Sequence, residues 1–109
     1  MIHLNYYMKE NNMKKSVLIN GKHINDKSDL YPYLEHVFKL TKPIGHNLDA
    51  LWDILSHNQT LKKITFIHYD QIEKHLGDYS QSLLDLFNSL KSKRNIELQV
   101  YKGKRNETK

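Results

Sequence analysis

Hydrophobic and polar positions along the chain follow two periods, and each change of period marks a new element. Ser16-Val17-Leu18-Ile19 is a continuous apolar run ending at Asn20-Gly21, which predicts a strand buried on both faces. Asn-Gly is also a strong hairpin signal, with Lys22-His23-Ile24 as a return strand. Ile24 is the only clear β former there, so a plain turn is preferred. Ser28-Asp29 opens a helix whose positions Leu30, Tyr33, Leu34, Val37 and Phe38 repeat at helical spacing, with Pro32, tolerated only near the first turn, as the alternative start of its regular part. Lys42-Pro43-Ile44-Gly45 predicts a loop.

A second helix follows that loop. Asn47 is a suitable N-cap, and Leu48, Leu51 and Leu55 make one apolar stripe flanked by Ile54 and Trp52. Residues 64–68 are β-branched and aromatic and predict a strand. Residues 69–76 predict a short helix closed by Gly77. Tyr79, Leu83, Leu86, Phe87 and Leu90 predict a longer one, capped by Asp78 or Ser80, with Lys91, Lys93 and Arg94 where cations suit the helix dipole. Residues 96–101 alternate strictly, so this last strand is expected to be antiparallel or at a sheet edge. Strands separated by helices predict an α/β fold, a small three-stranded parallel sheet with about four helices packed against it.

Composition narrows the class. With 109 residues the chain forms one domain with a modest core, and 39% hydrophobic with 27% charged residues fits a globular protein. Cysteine is absent, which excludes a disulfide framework, a thiol nucleophile and a cysteine-based zinc site. No apolar run approaches the roughly 18 residues of a membrane span, and the N-terminus lacks the apolar region of a signal peptide. A cytoplasmic location is expected. Residues 1–12 are polar and aperiodic and read as a disordered extension or the product of an early start codon, with Met13 opening a domain over 13–101. The net charge of +5 first suggests nucleic acid, but residues 102–109 hold four basic residues and one acid and so supply +3 of it. That segment reads as a solvated basic tail, and no arginine stripe with interleaved aromatics supports RNA binding in the body.

Among candidate chemistries, the seven histidines include no i, i+4 pair and none in a carboxylate ligand motif, which argues against a metal site. His36 and His75 read as solvated helix residues and His68 as a strand-end residue. The four glycines are not clustered, so there is no phosphate loop. Asp49 and Asp53 remain, one turn apart on the polar side of the second helix. Asp49 suits the first turn, but Asp53 lies beyond the dipole's reach, at i+4 from a like charge that costs about 0.2–0.5 kcal/mol. No lysine or arginine stands three or four residues away. Folding gives no reason for the pair, whereas a cationic partner would. An acid/base couple of the glycoside-hydrolase kind and a solvated helix face without a role are the competing readings.

The segments MKKSVLINGKHI (13–24) and GHNLDALWDIL (45–55) resemble the barstar family, intracellular inhibitors of barnase-type ribonucleases, and the likeness runs collinearly from Met13 to about Tyr101. The resemblance implies a three-stranded parallel sheet with helices, no enzymatic activity, no cofactor and a ribonuclease as protein partner. It implies that Asp53 enters the enzyme's phosphate-binding centre and Asp49 pairs with a neighbouring arginine. Gly45, Asn47, Leu48 and Trp52 would complete the contact surface. The chain departs from the family at Pro43 and Ile44, where an aromatic pair is expected, at His46, which replaces an acid, and at Ser89, which stands in place of a glutamate. Lost acids and a positive charge are expected to slow association more than they weaken the complex. Either the cognate enzyme is less basic, or the chain is a related interaction module whose partner is no longer a ribonuclease.

Overall fold

The computed structural model describes residues 15–41, 43–45 and 47–105; the expected extension over 1–12, His46 and the end of the basic tail lie outside them. Three strands, β1 (Ser16–Asn20), β2 (Lys63–Ile67) and β3 (Glu97–Val100), form one parallel sheet in the order β1-β2-β3. Val17 pairs with Ile64 and Ile64 with Leu98, so the three chains run level across the sheet. Four helices fill the two crossovers: α1 (Lys27–Val37) and α2 (Leu48–Ser56) join β1 to β2, and α3 (Tyr69–Leu76) and α4 (Asp78–Arg94) join β2 to β3. This is the expected α/β class. Among the described residues no helix is long and apolar enough to cross a membrane.

Burial separates the strands. Ile64, Thr65 and Phe66 of β2 are all buried, as the middle strand of a parallel sheet requires. β1 is not buried on both faces as its apolar run suggested. Val17 and Ile19 face the core while Leu18 is 45% exposed, because β1 is an edge and its cover is one-sided. β3 is the other edge, and it pairs parallel to β2. The core is closed by aromatic rings: Phe66 meets Tyr69 and Phe87 edge-on at 5.2 and 5.1 Å, and Phe87 stacks with Phe38 at 6.3 Å.

Local signals were overridden in four places. α1 begins at Lys27 and carries Pro32 inside it. Asp26 accepts from the Asp29 N–H, and the Asp29 carboxylate accepts from the Asn25 N–H. This reciprocal cap sets the start, and Pro32, which has no N–H, cannot donate to the exposed first-turn carbonyl of Ser28. At Asn20-Gly21 the hairpin signal is not used and the preferred turn is found, a 3-10 turn over Gly21–His23. A Cβ on Gly21 would stand 2.1 Å from the His68 carbonyl oxygen, so close approach explains the glycine. α4 is entered straight from Gly77, without a side-chain cap from Asp78 or Ser80. The Ser80 hydroxyl instead donates to the Gly77 carbonyl at 2.7 Å. Finally, His75 is not a solvated residue, since its Nδ1 donates to the Ile24 carbonyl at 3.0 Å. Backbone bonding also continues past the expected end of the domain: the Lys102 and Gly103 carbonyls accept from Asp70 and His68.

Candidate functional site

The loop between α1 and α2 is held from below. Glu35 of α1 accepts the Ile44 N–H at 2.8 Å, and the Ile44 side chain is buried in the core at 5% exposure. Ile44 therefore anchors the loop and does not offer its side chain to a partner, whereas Pro43 beside it is exposed. Gly45 turns the chain with φ +62°, and nothing lies within 4 Å of where its Cβ would be. The left-handed angle, not crowding, is what favours glycine there.

Asn47 caps α2 as its type predicts, accepting from Asp49 N at 2.8 Å and Ala50 N at 3.3 Å. With the first turn fixed, the helical period sorts the side chains. Leu51 and Leu55 are fully buried, Leu48, Trp52 and Ile54 are half-buried, and Asp49 and Asp53 are exposed. The Asp53 side chain is 72% exposed. Among the described residues neither carboxylate forms an ion pair with a lysine or arginine. Two negative charges thus stand one turn apart on a capped helix with a partly buried indole beside them.

Four residues that the periodicity did not single out support this surface. His57 closes α2, its Nδ1 2.7 Å from the Asp53 carbonyl and 3.7 Å from the Asp53 carboxylate. Its place at i+4 from Asp53 was the available signal. Arg94, at the end of α4, donates to the carbonyls of Ser56 at 3.1 Å and Asn58 at 2.6 Å. The cation nearest in sequence to the end of the core is therefore committed to backbone oxygens. Lys93 lies over the Trp52 ring, its Nζ 5.4 Å from the centroid. Glu35 is the fourth. For Lys93 and Arg94 only the folding of α2 against α4 makes the contact, and no local pattern announces it. Ser89 is exposed on α4 one turn before Lys93. Among the described residues no group of three histidine, aspartate or glutamate side chains could hold a metal ion.

Pro43, Gly45, Asn47, Asp49 and Asp53 are all exposed along this stretch, which suits contact with another macromolecule. A family model described as Barstar (barnase inhibitor) matches residues 14–102 and so takes in β1, the loop, α2 and the whole sheet. That family is one of inhibitors, not enzymes, and it implies a protein partner. With most of its length covered by the match, this chain belongs to the Barstar family.

Proposed function

We propose that this protein inhibits a ribonuclease by covering its active site with the loop at Pro43, Gly45 and Asn47 and the outer face of α2. The observation that carries the reading is the exposed pair Asp49 and Asp53, which has no lysine or arginine of the described chain to neutralise it. A ribonuclease must bind a phosphodiester, so its cleft is lined by cationic donors. A carboxylate held on a helix takes the place of the phosphate there with charge-assisted hydrogen bonds. Asp53 would occupy the phosphate centre and Asp49 an adjoining arginine. Asn47 and Gly45 fix the entry to the helix, and Leu48, Trp52 and Pro43 supply the apolar margin. Ser89 would meet the partner without a charge.

The α1 to α2 loop is stiffened before binding by Glu35 and by the buried Ile44, which lowers the ordering cost of association. Titration of barnase activity against wild type and Asp53→Ala tests the reading. Truncating one partner of a buried charge pair acts on dissociation and costs about 2–5 kcal/mol, a generalisation that the barnase–barstar pair itself helped to establish. The expected loss for Asp53→Ala is thus roughly 30- to 5,000-fold in affinity. Equal inhibition by the two proteins overturns the reading. If RNA were the ligand instead, RNA affinity would be present and would fall steeply with salt.

A further inference from the structure

We infer that Lys93 is a specificity-determining residue of this interface, one that selects a ribonuclease with an acidic side chain on the α4 side of its cleft and repels one whose rim there is basic. The inference rests on the inhibitor reading above. Trp52 follows Asp49 by three residues and precedes Asp53, so its ring borders the acidic face of α2. The Lys93 ammonium is seated 5.4 Å from that ring's centroid, a contact that keeps a long side chain at the margin of the patch. The surface therefore presents two carboxylates, an indole and then a cation.

Among the described residues no ion pair neutralises the positive charge at that margin. Ser89, one turn earlier on α4, is uncharged, and Lys93 forms no ion pair. Arg94 next to it is turned to the carbonyls of Ser56 and Asn58. A partner whose rim is basic throughout would meet Asp49 and Asp53 favourably and Lys93 unfavourably. A partner with an acid at that place would be favoured at both, which is how a repulsive element separates related partners.

A cation near a helix C-terminus also suits the dipole, and that simpler role must be separated from the one proposed. Lys91 provides the control, because it shares the last turn of α4 and is exposed, while the cation over Trp52 is Lys93. Lys91→Glu and Lys93→Glu change the net charge and the helix end equally. With barnase as the probe, inhibition constants and association rates are measured for wild type, both glutamate variants and Lys93→Gln, at about 50 and 300 mM salt. The expected result is a gain in affinity for Lys93→Glu at least tenfold larger than for Lys91→Glu, retained at the higher salt, with Lys93→Gln between. Equal gains that vanish together at the higher salt, where distant charges are screened, overturn the assignment of Lys93 alone. Inhibition by none of the four proteins counts against the ribonuclease reading itself.

Discussion

Nδ1 of His57 lies 2.7 Å from the carbonyl oxygen of Asp53 and 3.7 Å from the same residue's Oδ1. Because a carbonyl can only accept, Nδ1 carries the hydrogen, and the imidazole closes the last turn of α2 without covering the carboxylate. The side chain that would reach a partner and the backbone that holds it in place are thus served by one neighbour. His57→Leu is expected to lower stability by about 0.5–1.5 kcal/mol, the net value of one such bond. The affinity for barnase should change by less than tenfold. A loss as large as that of Asp53→Ala would mean that His57 itself meets the partner.

Gly45 sets the approach of the loop to α2. Its φ of +62° costs an L-residue about 1–2 kcal/mol, and no atom lies within 4 Å of an added Cβ to increase that. Gly45→Ala should therefore lower the free energy of urea unfolding by about 1 kcal/mol, and Gly45→Asn should recover part of it, since asparagine tolerates the left-handed region. Equal unfolding free energies for wild type and Gly45→Ala would show that the loop relaxes to another conformation.

The acidic helix was legible in the sequence because everything that shapes it is local. The Asn47 cap, the Leu48, Leu51 and Leu55 stripe and the two aspartates all lie within ten residues, and the structure sorts them as the helical period requires. The parallel sheet was legible because helical stretches separate the strands. What was not legible depends on position in the assembled fold. The run Val17-Leu18-Ile19 cannot announce that β1 is an edge, so nothing local marks Leu18 as the exposed one of the three. Pro32 pointed to a late helix start, and the Asp26 and Asp29 cap outweighed it. His75 reaches Ile24 across 51 residues, and Lys93 reaches Trp52 from another helix. Such contacts have no period.

Arg94 ties the end of α4 to the end of α2 through two carbonyl oxygens. Hydrogen bonds from a charged donor contribute about 1.5–3 kcal/mol each when buried, and less at this half-exposed site. Arg94→Met keeps the apolar stem and removes both bonds. It should destabilise the fold by about 1–3 kcal/mol, read as a lower urea midpoint with an unchanged slope. A midpoint equal to that of wild type would show that water replaces the guanidinium at no cost.

Alkaline pH should unfold the protein through its buried phenols. Tyr69 is buried at 1% exposure and donates to the Ser80 carbonyl at 2.5 Å. Burial raises its pKa well above the ordinary tyrosine value, and the nearby charges of Glu73 and Asp85 raise it further. Tyr31 is raised too, by burial and then by its hydrogen bond with Tyr79. In both cases the folded pKa lies above the unfolded one, so the folded state holds the proton more tightly. The stability contributed is complete below about pH 10 and is lost as the pH climbs from there toward the folded value. Thermal melts between pH 8 and 11.5 should show a falling Tm for wild type. Tyr69→Phe begins about 1 kcal/mol less stable, from the lost hydrogen bond. Its Tm should nevertheless fall more slowly above pH 10, and adding Tyr31→Phe should flatten the slope again. Parallel slopes in all three proteins would place the alkaline transition in other groups.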